Sequence, residues 1–189
     1  MYKLFLKRLI DLVLSFVAII ILIIPMLIIS LVILLTDPGP VFFKQKRFGK
    51  NKKYFRIIKF RTMKVNTPDV PTDKLDNPEQ YVTSIGKFLR KTSLDELPQL
   101  WNIFTGEMSF VGPRPVTEGE LEKYGGFADY ILSVKPGLSG LWQVSGRSDT
   151  GYEERINLDT YYIQNWSIWL DIWIIIKTVW VVLKGKGAY

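Results

Sequence analysis

Two adjacent carboxylates, Asp95 and Glu96, are the residues of this sequence best placed to do chemistry. They follow the cations Arg90 and Lys91 and precede Pro98, which the first turn of a helix accepts because its missing N–H is not needed there. A helix N-terminus offers free N–H groups and positive potential, which bind phosphate and keep a carboxylate ionised. An ionised aspartate at this point can act as a nucleophile at phosphorus.

The same segment also has a purely structural interpretation. Ser93 and Glu96 have the spacing of a capping box. Asp95 would then serve as the N-cap of a helix that starts there and ends near Gly106. The local pattern is compatible with both interpretations.

Two cations in residues 54–63 have a spacing that would suit a diphosphate, although an exposed basic edge strand is the commoner meaning of this pattern. If residues 54–63 form a strand, the period of two puts Lys59 and Arg61 on one face, where they would straddle two phosphates.

Two further segments are rich in proline and glycine. Arg114 lies between two prolines, which restrict the backbone and present its guanidinium at low entropic cost, although a surface turn is the commoner meaning of this pattern. The glycines of residues 135–147 would let backbone N–H groups and Arg147 approach a ligand closely.

The composition excludes several kinds of chemistry. The chain has 189 residues, enough for one domain, and contains neither cysteine nor histidine. This excludes disulfides, thiol nucleophiles, histidine-based triads and most zinc sites. A net charge of +7 beside 48% hydrophobic residues indicates separate basic and apolar stretches, suited to an anionic membrane surface or to phosphate ligands.

Residues 12–35 form an uncharged apolar run, long enough as a helix to cross about 30 Å of hydrocarbon. A signal peptide fits less well, because an Asp-Pro-Gly-Pro turn at 37–40 stands where a cleavage site would be. Pro25 lies at the middle of the run, and basic flanks at both ends favour the cytoplasmic side. A helix that breaks at Pro25 and returns to the same face satisfies both flanks, whereas a kinked span is the alternative. The basic residues are Lys3, Lys7 and Arg8 before the run, and Lys44, Lys46, Arg47 and Lys50 after it.

The other segments predict a hairpin over 42–63, an exposed loop over 66–80 and a basic amphipathic helix over 85–91. We therefore expect a mostly helical α+β fold that is monotopic in the membrane. Its features would be a Pro-broken re-entrant N-terminal helix, interfacial amphipathic helices and a small β-hairpin. The anchor would cover residues 1–40 and the catalytic domain 41–189, as one structural unit. The last helix should present a tryptophan-rich face, formed by Trp166, Trp169, Trp173, Ile176, Trp180 and Leu183.

Short motifs in one order along nearly the whole chain carry a resemblance to a known family. The chain resembles the small monotopic polyprenyl-phosphate phosphoglycosyl transferases, the bacterial sugar transferases that begin capsule, exopolysaccharide and glycan assembly. The motifs are Lys7-Arg8 with Asp11, Asp37-Pro38-Gly39-Pro40-Val41-Phe42, Gln45-Lys46-Arg47, Lys59-Phe60-Arg61-Thr62-Met63, Arg90-Lys91-Thr92-Ser93-Leu94-Asp95-Glu96-Leu97-Pro98-Gln99, Gly106-Glu107-Met108-Ser109, Val111-Gly112-Pro113-Arg114-Pro115, Lys135-Pro136-Gly137-Leu138-Ser139-Gly140, Gln143-Val144-Ser145-Gly146-Arg147, Asn165-Trp166-Ser167 and Asp171.

The resemblance implies that Asp95 forms a covalent phosphosugar intermediate and that Glu96, together with Asp95, holds Mg²⁺. It implies a UDP-sugar donor, a polyprenyl (undecaprenyl) phosphate acceptor, and a location on the cytoplasmic face of the bacterial inner membrane. The sugar is left open, and the tryptophan-rich face would suit a homodimer as well as a membrane. The basic positions expected around the diphosphate or the lipid phosphate are Lys59, Arg61, Arg90, Arg114 and Arg147.

Two other classes of protein share parts of this pattern. A membrane-anchored scaffold would explain the charge and the apolar run, but it gives no reason for an Asp-Glu pair beside clustered cations. A nucleic-acid binder would need basic residues interleaved with exposed aromatics, for which residues 54–60 qualify weakly. We expect no nucleic-acid partner.

Overall fold

The computed structural model describes residues 2–68, 75–145 and 151–184, and within these ranges the chain is mostly helical. The helices are α1 (Tyr2–Thr36), α2 (Ser84–Thr92), α3 (Gln99–Thr105), α4 (Glu118–Leu121), α5 (Ala128–Ile131), α6 (Leu141–Ser145), α7 (Tyr152–Gln164) and α8 (Ile168–Leu183). The strands are β1 (Phe42–Phe48), β2 (Tyr54–Phe60), β3 (Ser109–Val111) and β4 (Gly137–Ser139).

α1 is one continuous helix of 35 residues with Pro25 inside it. The sequence predicted a break at this proline, but the helix is not interrupted there. Proline removes one backbone hydrogen bond and kinks a helix without having to end it, so re-entry at Pro25 stays a prediction. Among the described helices, α1 alone is long and apolar enough to cross a membrane. Its length of about 50 Å exceeds the thickness of the hydrocarbon layer.

The N-terminal part of α1 is joined to the rest of the protein by polar contacts. Lys7 Nζ lies 2.5 Å from Asp171 Oδ2 on α8. Arg8 donates to the carbonyl oxygens of Ile103 and Phe104, at 2.7 Å each, and so satisfies the end of α3. Asp11 accepts hydrogen bonds of 3.1 Å from Ser109 Oγ and from the N–H of Phe110.

The C-terminal part of α1 is held by apolar packing and, just after the helix, by an ion pair in which Arg61 Nη1 lies 3.7 Å from Asp37 Oδ2. Ile33 is buried with Phe60 and Leu89. Just after the helix, the carbonyl oxygen of Asp37 accepts a hydrogen bond from Arg61. Both ends of α1 therefore contact the same body of the protein, while its outer face exposes large apolar side chains, including Ile20, Ile21, Ile24, Leu27, Ile28, Leu31 and Leu35.

β1 and β2 pair antiparallel and confirm the predicted hairpin, with Phe43 opposite Lys59. Asn51 and Lys52 turn the chain with φ angles of 55° and 59°. β2 ends at Phe60, before the predicted end at residue 63, although the N–H of Arg61 still bonds to the carbonyl oxygen of Val41 at 2.8 Å.

β3 and β4 form a short parallel pair that the sequence did not predict, with Ser109 opposite Gly137. The two chains approach so closely that a Cβ atom on Gly137 would lie 2.1 Å from the nitrogen of Gly112. Glycine is required there because a side chain would overlap the facing backbone. This pair brings the Arg114 segment beside the 137–140 segment.

The predicted amphipathic helix is present as α2, whose first turn is capped by Thr83, since Thr83 Oγ1 accepts from the N–H of Gly86 at 2.9 Å. The predicted tryptophan-rich helix is present as α8, but Trp166 precedes it and donates to Asp171 Oδ2 at 2.9 Å instead of extending the face. Its Ile174 is buried in a core cluster, while Trp169, Trp173 and Trp180 are exposed on its outer side.

Candidate active site

The carboxylates Asp95 and Glu96 lie in a 3₁₀ turn, Leu94–Glu96, and α3 begins at Gln99 rather than at Asp95. Ser93 has a φ of 57° because it closes α2 in the left-handed conformation. An N-cap residue needs extended backbone instead, and neither the turn nor α3 has a side-chain cap. The capping interpretation of Ser93 and Asp95 is therefore wrong.

Glu96 is held by the cation that the sequence placed on β2. Lys59 Nζ donates to Glu96 Oε1 at 2.7 Å, and both side chains are largely buried. Burial alone would raise the pKa of Glu96, but the charges of Lys59 and Arg114 outweigh it and lower this pKa below its usual value. Glu96 is therefore ionised at neutral pH.

For Asp95, one residue earlier, the effect of burial on the pKa outweighs the effect of the neighbouring cations. Burial raises the pKa of Asp95 to about 6, the neighbouring Glu96 adds to this effect, and Lys59 and Arg90 oppose it. At pH 7 most of this carboxylate is still ionised, yet it is poorly stabilised as an anion. An anion in this state is a better nucleophile than one fully neutralised by hydrogen bonds.

Arg114 and Arg47 complete a cationic pocket around Glu96. Both line the same cavity as Lys59. Arg47 is fixed by hydrogen bonds to the carbonyl oxygen of Pro115, at 3.0 Å, and to Glu120 Oε2, at 2.9 Å. Burial and the adjacent charge of Arg114 lower the pKa of Arg47 to about 10, so it remains a cation at neutral pH.

Sequence reasoning missed Arg47 as a site residue. The sequence indicated Arg47 only through the Gln45-Lys46-Arg47 motif. The alternation of side chains along β1 does not show that Arg47 contacts the distant proline segment. The structure brings it there because the N–H of Phe48 bonds to the carbonyl oxygen of Val116 at 2.9 Å, which joins β1 to the Arg114 segment.

Two glutamine side chains in the same cavity keep groups without a hydrogen-bond partner. They are Gln99 Nε2 and Gln143 Oε1, both buried. Buried polar atoms are normally paired, so this cavity of about 10 Å³ is suited to a ligand group that accepts from Gln99 Nε2 or donates to Gln143 Oε1. Neither residue was singled out as a site residue from the sequence.

Two of the other predicted cations, Arg61 and Arg90, do not line this cavity. Arg61 is buried beside Asp37 at the end of α1, and it does not line the cavity that contains Lys59. Arg90 donates through Nε to Thr62 Oγ1 at 2.9 Å, and its charge interacts with that of Asp95. Arg147 lies outside the described residues.

The position of Lys59 depends on Asn102, a residue of α3 that is 1% exposed. Its side-chain oxygen accepts from the N–H of Ile58 at 3.1 Å, and its Nδ2 donates to the carbonyl oxygen of Arg56 at 2.8 Å and to Glu107 at 2.7 Å. One amide thus pairs with the free edge of β2 as a neighbouring strand would, and it fixes the strand that carries Lys59.

The carboxylates also fit a magnesium site of a particular kind. Among the described residues there is no group of three or more acids that could enclose a metal ion. Mg²⁺ is commonly bound by one or two carboxylates together with substrate phosphates and water. Asp95 and Glu96, beside a cationic pocket, match that donor set.

The fold and the pocket together define a class: mostly helical proteins in which a long apolar helix packs beside a pocket of carboxylates and cations. The sequence profile of the family described as "Bacterial sugar transferase" matches residues 2–185, and this chain belongs to that family.

Relatives with established names are similar over nearly the whole chain. A UDP-galactose-lipid carrier transferase of Erwinia amylovora is 48% identical over 98% of this chain and 42% of the relative. An undecaprenyl-phosphate galactose phosphotransferase of Salmonella typhimurium is 43% identical over 98% of this chain and 42% of the relative. The exopolysaccharide production protein ExoY of Sinorhizobium fredii is 42% identical over 97% of this chain and 88% of the relative. This chain thus spans about two fifths of the length of the first two relatives.

Proposed function

We propose that this protein transfers a sugar 1-phosphate from a UDP-sugar to polyprenyl (undecaprenyl) phosphate, giving polyprenyl diphosphate-sugar and UMP. The names of the relatives support both substrates. The observation that carries the proposal is the pocket in which Lys59, Arg114 and Arg47 surround Glu96 next to Asp95. It offers positive charge for a diphosphate beside an anion that can attack phosphorus.

In the proposed mechanism Asp95 is the nucleophile. Its carboxylate oxygen forms a bond to the phosphorus that carries the sugar, while the bond from that phosphorus to the oxygen of UMP breaks and its electron pair leaves with UMP. An oxygen of the acceptor phosphate then attacks the same phosphorus and releases Asp95. One phosphoric anhydride is broken and another is formed, so the overall free-energy change of the reaction is close to zero.

The other residues stabilise charge. Arg114 and Lys59 would bind the diphosphate oxygens as negative charge shifts to the leaving UMP, and Arg47 holds the Arg114 segment in place through Pro115. Glu96, with Asp95, would bind Mg²⁺, which when present neutralises the diphosphate. The charge of Arg90 interacts with that of Asp95, and Arg90 would meet the acceptor phosphate.

A direct transfer without a covalent intermediate is the rival mechanism. The deciding experiment incubates the protein and Mg²⁺ with a donor labelled in its sugar, without lipid acceptor. The covalent mechanism requires release of one UMP per protein and label on a peptide that contains Asp95. If neither appears with a donor that is consumed once lipid is added, direct transfer takes its place.

We further propose that α1 re-enters the cytoplasmic face of the bacterial inner membrane. The contacts of Lys7 and Arg8 at one end, and of Ile33 at the other, support this topology, because a helix that crossed the bilayer would place one of these ends on the far side. The exposed tryptophans of α8 are suited to the bilayer interface.

Single cysteines test the topology, since the chain contains none. Tyr2→Cys and Lys53→Cys should both react with a membrane-impermeant maleimide from the cytoplasmic side alone. Reaction of the two from opposite sides would establish a full span.

A further inference from the structure

A second cavity, of about 310 Å³, lies between α1, the hairpin and α3. Its lining is apolar apart from one cation, Lys44. The side chains that line it are Ile19 and Met26 of α1, Phe42, Lys44 and Ile58 of the hairpin, and Leu97, Pro98, Leu100 and Trp101 beside and within α3.

This cavity adjoins the proposed active site from the other side of the hairpin. Ile58 and Lys59 are consecutive in β2 and therefore point to opposite faces, and Lys44 is paired with Ile58. Leu97 and Pro98 follow Glu96 directly in the sequence. The turn that carries the two carboxylates thus separates a cationic pocket from an apolar one.

We propose that this apolar cavity binds the first isoprene units of the polyprenyl phosphate acceptor, and so holds the acceptor phosphate at Asp95. The inference rests on the proposed function and assigns a site to its lipid substrate. An amphiphile with an anionic head and an apolar tail matches a cavity with an apolar lining, one cation, and a border with the carboxylate turn.

The size and surroundings of the cavity favour a long chain that is only partly enclosed. A volume of about 310 Å³ is at the low end for small-molecule sites, roughly 300–1,000 Å³. Phe42 and Trp101 are 46% and 53% exposed, and the next residue of α1 after Ile19 is exposed on the apolar outer face. The remainder of the polyprenyl chain can therefore continue along that face into the bilayer.

Two substitutions on adjacent residues of α1 test this assignment. Ile19→Trp fills the cavity, whereas Ile20→Trp makes the same change on a side chain that is 56% exposed on the outer face. We expect Ile19→Trp to raise KM for a full-length polyprenyl phosphate about tenfold, while KM for the UDP-sugar stays unchanged. Ile19→Trp should also raise KM for a short two-isoprene phosphate, because both isoprene units would bind in the same cavity.

The matched control should leave KM for the acceptor within about twofold of the wild type. Equal effects of the two substitutions, or no effect of Ile19→Trp in an active protein, would overturn the assignment. A wild type that transfers nothing to polyprenyl phosphate would instead reject the proposed function.

A binding measurement that needs no turnover completes the test. With Trp101→p-benzoylphenylalanine, illumination in vesicles of phosphatidylglycerol and phosphatidylethanolamine containing polyprenyl phosphate should give a cross-linked isoprenoid, identified by mass. Free geranylgeranyl phosphate should compete with it. Cross-links to phospholipid acyl chains alone would show that the cavity is an ordinary lipid contact and would overturn the proposal.

Discussion

Two regions of the described structure that bury an acidic side chain contrast with each other: the pocket around Glu96 and the α6–α7 region around Asp159. Glu96 has Lys59 at 2.7 Å, and its pKa is lowered despite burial. Asp159 is 1% exposed, and neither of its oxygens has a hydrogen-bond partner. Burial raises the pKa of Asp159 to about 8, and Arg155 offsets this only in part.

The difference shows that burial alone does not produce an active carboxylate. A buried acid without donors tends to keep its proton at neutral pH, whereas one beside fixed cations remains an anion. The pocket therefore needs both the acids and the strand and loop that hold the cations in place. Substitutions in the pocket should therefore lower activity, whereas a substitution of Asp159 should change stability.

The largest expected effect comes from the carboxylates themselves. Asp95→Asn should lower the transfer rate at least about 10³-fold because it removes the anionic nucleophile, and Glu96→Gln should have a similar effect that higher Mg²⁺ partly restores. Transfer of labelled sugar phosphate to lipid measures both. Glu153→Gln on the exposed side of α7 is the control and should behave as the wild type. Substantial activity in Asp95→Asn would exclude this residue as the nucleophile.

Arg114 tests whether the pocket needs a planar cation or only positive charge. Arg114→Lys should lower kcat/KM about 10²-fold, nearly as much as Arg114→Ala, because an ammonium cannot replace two parallel hydrogen bonds to phosphate. The exposed Arg56→Lys serves as the matched control on β2. Full activity in Arg114→Lys would reduce Arg114 to a turn residue.

Asn102 tests the position of the cation beside Glu96. Asn102→Leu removes both hydrogen bonds to β2, and Asn102→Asp keeps the acceptor but sets a buried carboxylate against Glu107 and the carbonyl oxygen of Arg56. We expect kcat to fall about tenfold or more in both variants, with KM for the acceptor nearly unchanged. If the loss of kcat were accompanied by a loss of thermal stability and by a change in KM for the acceptor, the role of Asn102 would be purely structural.

Asp159 should affect stability rather than activity. Its pKa in the folded protein, about 8, is above the unfolded value near 3.8, so the native state binds more protons and loses stability as pH rises from about 4 to 8. Asp159→Asn should therefore raise Tm by roughly 2–6 °C at pH 8, and by less at pH 5. A scanning calorimetry series measures this, and a larger gain at pH 5 would contradict the assignment.

Much of the fold follows from patterns with local causes. The apolar run of α1, the alternation of the hairpin and the tryptophan spacing of α8 each reflect one element and its period. The pairing of β3 with β4 could not be predicted, because each strand has three residues and the contact depends on glycines at Gly112 and Gly137, which are far apart in the sequence.

The site residues, too, could be predicted only where their roles have local causes. Asp95, Glu96 and Lys59 could be identified from residue type and spacing, and the structure brings the last two into contact. Arg61 was paired with Lys59 by strand period, but the strand ends before it and the end of α1 binds its guanidinium. Arg47 and Asn102 could not be found, because their roles arise from contacts with distant segments.

The contacts of α1 have a consequence for protein engineering. Deleting α1 to obtain a water-soluble form would remove the guanidinium of Arg8 from the end of α3 and expose the apolar side chains that pack against Ile33. The expected product is an aggregating chain rather than a free catalytic domain. Solubility is better sought by replacing outward-facing residues of α1, such as Ile24 and Leu31, with polar side chains, which leaves every buried contact of the helix in place.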